Sequence, residues 1–441
     1  MEGKGGGILP VLHKLPSNLQ ATTRTKRHRF QPWFIGIACI LIGGCASHEV
    51  APLTARDAII GVDKDEVRIF AESAQARREL EKKGLILQDP EITAYLNAVL
   101  DRLKPADLPD TLNISVTAVR DSIVNAYAFP NGSIYINIGL LERIANEAQL
   151  AHILAHELSH VVLRHSLEAY KDRRDKVVAA HITDLFLFGT SIAYIPYIAS
   201  ISSYSRGQEE EADKMALELM SASGYPLSGA TGLFDVLEQV KTGKTASFSI
   251  YSSHPDNEVR ARYTGRYIEE SGLATNAGNP PGTAEYLAVR RRLAVPAITL
   301  QLNIKHYELA LDSVDRALAG APDNPWLFYY QGEAWRLMGE DPKGAAREHA
   351  WLYDKTYDDQ MTAEMAARSH EFQTAALKSY EEALHRDAGL VKANRGIGLV
   401  ACAQDNRERC RQQLNLYLNS ADSIPDRRYI IAVLKKLETG E

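Results

Sequence analysis

The chain has 441 residues, 45% of them hydrophobic, and a formal net charge of −6, which allows two or three domains with real cores. So slight a charge, with no basic run longer than three residues beyond residue 29, leaves no electrostatic footprint for nucleic acid. No Gly-rich loop follows a strand pattern to cradle phosphates, so nucleotide chemistry is also without support.

The first segment reads as a targeting device. Lys26, Arg27, His28 and Arg29 precede an apolar run from Trp33 to Ile42. That run is too short to span a bilayer and has the proportions of a signal-peptide core. It ends Ile42-Gly43-Gly44-Cys45, which resembles the bacterial lipoprotein box, where the cysteine becomes the lipidated first residue. The alternative is a buried thiol in a short anchor helix. Residues 1–25 are long and Gly-rich for the start of a signal, so translation could begin downstream. Ala46 and Ser47 follow Cys45, with no Asp of the kind that retains lipoproteins in the inner membrane. The expectation is a signal peptide over 1–45 and an outer-membrane lipid anchor facing the periplasm.

Residues 46–60 read as a tether, and Asp63 to Lys83 as a charged amphipathic helix. Pro90 opens a second helix over Glu91 to Leu103, with Ile92, Tyr95, Leu96, Val99 and Leu100 on one side. Two strands are expected next, Asn113 to Val119 and Ser133 to Ile138, with Asn131-Gly132 as a turn between them. The second alternates Ile134, Ile136 and Ile138 with Ser, Tyr and Asn. That pattern leaves one face for the core, and the strand is expected at a sheet edge, where an unfolded substrate chain could pair with it.

An apolar, helix-periodic run from Ala148 to Val162 contains His156-Glu157-Leu158-Ser159-His160. Residues four apart share a helix face, so the two imidazoles can converge on one metal ion with Glu157 beside them. Zinc suits such a set, and Glu157 suits a general base. The rival reading, a surface helix, conflicts with Ile153, Leu154, Val161 and Val162, which bury it. Only His156 and His160 bracket a Glu correctly; His152 and His165 read as packing or as support for the ligands. After a charged stretch from Arg164 to Lys176, the apolar residues Val177 to Tyr204 read as a lid over the site or, alternatively, as a membrane span. Two histidines leave zinc short of a protein ligand. Glu209-Glu210-Glu211-Ala212-Asp213 opens a helix that ends at Gly224 and carries Glu209 and Asp213 on one face. Acids at a helix start also suit the dipole, so this pattern alone leaves the third ligand open.

Asn125 to Pro130, Asn137 to Leu141, His156 to His160 and Glu209 to Asp213 together resemble the HtpX and CAAX-prenyl-protease type of zinc metallopeptidase. The nearest branch is the soluble periplasmic one of barrel-assembly-enhancing proteases. His254-Pro255 and Arg260 match a further motif of that branch. The resemblance implies one zinc ion held by His156, His160 and Glu209, Glu157 as the base, and Asp213 orienting a ligand imidazole. It also implies that His254 and Arg260 touch the metal or the developing oxyanion, against the plainer reading of a turn and helix start. A latent resting state is expected, with His254 as a fourth ligand that must leave for activity.

Gly272, Gly278, Pro280, Pro281 and Gly282 mark a linker. Beyond it the chain reads as helical pairs. Asn324-Pro325-Trp326, Gly332 and Trp335 fit a first tetratricopeptide helix, and Ala310, Val314, Ala317 and Pro322 the second helix of the preceding unit, with about four units in all. Cys402 and Cys410 flank an Asp405-Asn406 turn and are either a disulfide or two buried thiols.

The expected fold is α+β and mainly helical. A zinc metalloprotease domain over 46–270, with a small sheet and an active-site helix, is followed by a linker over 271–292 and an all-α TPR-like array over 293–441. The expected function is a zinc endopeptidase in protein quality control, acting on unfolded or misassembled outer-membrane proteins. The array would dock partners such as the outer-membrane barrel assembly machinery. The rival is a non-enzymatic assembly factor with a latent or structural zinc site.

Overall fold

The computed structural model describes residues 50–55, 60–61, 63–177, 204–242, 257–274, 282–420 and 424–439. The expectations for Cys45, for the apolar stretch over 178–203 and for His254 lie outside the described residues.

Helix α1 (Lys64–Lys82) starts where the Asp63 side chain accepts the Asp65 N–H, and α2 (Pro90–Leu103) starts at Asp89 with Pro90 in its first turn. Ile92, Leu96, Val99, Leu100 and Leu103 turn inward from α2 and are all buried, each contributing about 1.5–3 kcal/mol by leaving water. Leu53, in the expected tether, is also in this core, and its N–H donates to the Val162 carbonyl at 2.8 Å.

The sheet has three strands in the order β1-β3-β2, where β1 is Ser115–Val119, β2 Ala126–Ala128 and β3 Ser133–Asn137. β1 runs parallel to β3 and β2 antiparallel to it. The expected position of Ser133 to Ile138 at a sheet edge is therefore corrected: β3 is the central strand, paired on both sides. The reason lies in Tyr135. Ile134 and Ile136 enter the main core, but Tyr135 packs on the opposite face with Ala76 and Leu80 of α1 and with Phe129. Both faces of β3 are buried, so the Ile/Tyr alternation marks two cores rather than one core and one wet face. Gly132 turns β2 into β3 at φ 86°, a value that favours glycine.

A short helix α3 (Ile138–Leu141) leads to α4 (Glu147–Val162), which the Asn146 side chain caps by accepting the Gln149 N–H at 3.0 Å. All sixteen residues of α4 are buried. Helix α5 (His165–Val177) follows after Arg164, whose φ of 57° is left-handed. Then come α6 (Arg206–Ala222), α7 (Ser228–Thr242) and α8 (Asn257–Glu270), of which α6 and α7 pack on α4, and α8 on α6 and α7.

Among the described residues from Thr283 on, every regular element is a helix: α9 (Thr283–Asn303), α10 (Tyr307–Gly320), α11 (Pro325–Glu340), α12 (Pro342–Leu352), α13 (Asp359–Ala367), α14 (Ser369–Arg386), α15 (Lys392–Ala403), α16 (Arg407–Leu418) and α17 (Arg427–Thr439). Helix α9 packs on α10, α11 on α14, and α15 on α16. Cys402 and Cys410 are joined by a disulfide across the α15–α16 turn, with Cα atoms 5.0 Å apart.

Of the residues expected as a linker over 271–292, 283–292 are helical. Tyr286, Val289 and Leu293 of α9 lie in the same core as α4, and the Tyr286 hydroxyl donates to the Leu141 carbonyl at 2.5 Å. Glu142, buried after α3, accepts from Arg316 at 2.9 Å and Ser313 at 3.0 Å on α10. The expected boundary between protease and array is thus a shared wall, and Ser47–Glu441 forms one compact unit.

Candidate metal centre

Helix α4 carries His156 and His160 one turn apart, and α6 crosses it with Glu209 in its own first turn. The α6 N-terminus is fixed by a capping box in which Ser205 accepts the Gln208 N–H at 3.3 Å and Gln208 accepts the Ser205 N–H at 2.9 Å. His156 Nε2 stands 3.1 Å from His160 Nε2. Glu209 oxygens lie 3.5 Å from His156 Nε2 and 3.6 Å from His160 Nε2. All three side chains are buried, and one ligand atom from each falls within 4.8 Å of the others.

Ligand atoms about 2.0–2.1 Å from a tetrahedral ion stand about 3.3–3.4 Å apart, so the three separations match a zinc-sized centre. Two imidazoles and a carboxylate would hold an ion with one position left open to water or substrate, the donor set of a catalytic rather than a closed structural site. When bound there, the ion would act as a Lewis acid on a substrate carbonyl and raise the acidity of water. Glu157, buried beside His156, would take a proton from water and return it to the leaving amine.

Each ligand imidazole is supported from behind. His156 Nδ1 lies 2.9 Å from Asp213 Oδ1, one turn beyond Glu209. Arg260 on α8 donates to Asp213 through Nε at 2.9 Å and a terminal nitrogen at 2.7 Å, and its other terminal nitrogen reaches Glu209 at 3.2 Å. The Tyr263 hydroxyl also donates to Asp213. Burial and the Arg260 charge press the His156 imidazole down, but Asp213 and Glu209 outweigh them and lift it to about 9. Burial would raise the Asp213 carboxyl, yet Arg260 and His156 hold it well below the usual range. His160 is held differently. Its Nδ1 lies 2.9 Å from His165 Nδ1, and its ring stacks on Tyr204 at 3.8 Å. Burial pushes His165 down to about 4 and His152 to about 3, leaving both neutral at pH 7.

The structure brings Glu157, Asp213 and Arg260 to the two histidines and Glu209. Arg260 meets the centre through Asp213 and Glu209. His152 packs beside His156 and Phe234, and His165 supports His160. Sequence reasoning passed over Tyr204 and Tyr263. Tyr263 had a readable signal, because Arg260, Tyr263, Thr264 and Tyr267 recur at helical spacing in a charged segment, and the Tyr267 hydroxyl donates to Glu218 of α6 at 2.9 Å.

Such a centre, on a buried H-E-x-x-H helix with its third ligand on a second helix, is that of a zinc metallopeptidase. Residues 87–264 match peptidase family M48, so the chain carries a domain of that type. It is similar to the mitochondrial metalloendopeptidase OMA1 of Schizosaccharomyces pombe, 27% identical over 262 residues that cover 58% of this chain and 76% of that protein. Metalloprotease YcaL of Escherichia coli is 32% identical over 148 residues, 32% of this chain and 57% of that protein. The beta-barrel assembly-enhancing protease of Escherichia coli is 26% identical over 196 residues, 42% of this chain and 40% of that protein. The chain thus spans from 40% to 76% of the length of these three relatives. No helix among the described residues is long and apolar enough to cross a membrane.

Proposed function

We propose that this protein is a zinc endopeptidase of the bacterial periplasm, tethered to the outer membrane through a lipid on Cys45, that removes misassembled outer-membrane proteins. The helical array, read as tetratricopeptide-like, would supply the docking surface for clients and for the barrel assembly machinery. The observation that carries the catalytic reading is Glu157, buried between two ligand histidines on one helix. A purely structural ion has no use for a carboxylate there. The compartment and client class draw support from the lipoprotein-like Cys45 segment and from the likeness to a protease named for barrel assembly. We further propose His254 as a fourth ligand of the resting state, so that His254→Ala is expected to raise basal casein cleavage at unchanged zinc content; a large fall instead makes it an oxyanion stabiliser.

The deciding experiment compares the wild type with Glu157→Gln for casein cleavage and zinc content. Retained zinc with cleavage lost supports the reading. Equal cleavage by both proteins overturns it.

A further inference from the structure

We propose that His165 is a positioning residue which holds His160 in the one tautomer able to present Nε2 to the metal, through a chain running His160–His165–Glu211. This rests on the metallopeptidase reading. His160 Nδ1 and His165 Nδ1 are 2.9 Å apart, and His165 Nε2 lies 3.3 Å from Glu211 Oε2. Two imidazole nitrogens at that distance share a single proton, so one donates and the other accepts. A ligand nitrogen needs its lone pair free. With Nε2 of His160 turned to the ion, its proton sits on Nδ1 and donates to His165. His165 Nδ1 is then the acceptor, and its own proton must sit on Nε2, facing the Glu211 carboxylate. Only one arrangement satisfies all three groups.

The local backbone is built to deliver this contact. α4 ends at Val162, and Arg164 reverses the chain in the left-handed region at φ 57°, a conformation costing a non-glycine residue about 1 kcal/mol or more. The Arg164 guanidinium is anchored by Glu66 at 2.6 Å and by the Ala51 carbonyl at 3.3 Å. The reversal starts α5 at His165 and turns that ring back under His160. Tyr204, whose hydroxyl bonds Ser166 at 2.9 Å, stacks on a face of the His160 ring. The ligand ring is therefore fixed in plane by Tyr204 and in tautomer by His165. The two ligands differ in kind: His156 leans on the carboxylate of Asp213, whereas His160 leans on a neutral imidazole.

The test is zinc affinity by chelator competition, in the Glu157→Gln background to prevent self-cleavage. His165→Leu removes the acceptor and is expected to weaken zinc by about 10–100-fold, the usual loss for a missing outer-shell partner. His165→Asn places an amide oxygen where Nδ1 stood and is expected to stay within about threefold of the parent. Equal weakening in both variants, or His165→Leu within about twofold of the parent, overturns the proposal, because a packing role would not discriminate between them. A second measurement needs no His165 variant. In zinc-loaded Glu157→Gln protein with 15N-labelled histidine, long-range proton–nitrogen spectra are expected to show His165 protonated on Nε2 and bare on Nδ1. A proton on His165 Nδ1 overturns the proposal. Both readouts are independent of casein cleavage, so loss of the peptidase reading and loss of this inference can be told apart.

Discussion

The guanidinium of Arg260 grips both carboxylate oxygens of Asp213, at 2.9 and 2.7 Å, with the two side chains 3% and 0% exposed. A forked pair of this kind fixes direction as well as charge. Asp213 in turn bonds His156, so α8 sets the orientation of a metal ligand on α4 without being one.

Arg260→Ala should strand the buried Asp213 charge. Removing one partner of a buried pair costs about 3–5 kcal/mol, an upper figure here because Tyr263 and His156 still bond Asp213. The expected outcome is a clear drop in melting temperature together with weaker zinc binding. Arg260→Lys, which cannot fork, should fall between. An unchanged melting temperature in Arg260→Ala would refute the account.

The raised His156 pKa of about 9 makes zinc binding a competition with protons. Metal-free His156 is charged at pH 7, whereas a ligand imidazole must be neutral, so zinc entry should release about one proton and the affinity should climb about tenfold per pH unit until pH 9. The metal-free fold has the opposite dependence. A histidine whose folded pKa is raised contributes stability that is complete below the unfolded value of about 6.5 and is lost as pH climbs through 9. Calorimetry in buffers of different ionisation enthalpy would count the proton. No release at pH 7 would contradict the His156–Asp213 arrangement.

Tyr380 fills a slot between two helices that only glycine leaves open. A Cβ on Gly332 would meet its ring at 2.6 Å and one on Gly396 at 2.3 Å, while the hydroxyl donates to Glu333 at 2.5 Å. Gly332→Ala should therefore destabilise the array by about 1–3 kcal/mol despite the better helix propensity of alanine. Gly265, inside α8 with nothing within 4 Å of its would-be Cβ, is the control. Gly265→Ala should stabilise by up to about 1 kcal/mol. Equal effects at the two positions, read from denaturation midpoints, would remove the steric argument.

The histidine pair was legible because His156 and His160 stand four apart on one helix around a Glu, whereas Glu209 was reached only through the resemblance. The role of Asp213 followed from the resemblance, and the 2.9 Å contact with His156 supplies its geometry. Features that depend on tertiary direction were not legible. Nothing in Val162-Leu163-Arg164-His165 announces a left-handed arginine, so His165 could not be told from packing. Tyr135 reads as the wet position of an edge strand until α1 covers it. Gly272, Gly282 and the prolines between them read as a linker, but composition cannot say that the helix from Thr283 returns to the first core.

That returning helix sets the seam of the molecule. The α9 start at Gly282, with φ 72°, lies so close to Glu147 that a Cβ there would overlap its carboxylate. Glu147 in turn gathers the hydroxyls of Tyr95 and Tyr225, at 2.6 and 2.8 Å, at the first residue of the metal helix. A protease that nicked the segment between Glu270 and Thr283 would cut the chain without freeing either half. A truncation after Glu270 would instead strip Tyr286 and Leu293 from beside α4 and lay open an apolar trough behind the catalytic helix.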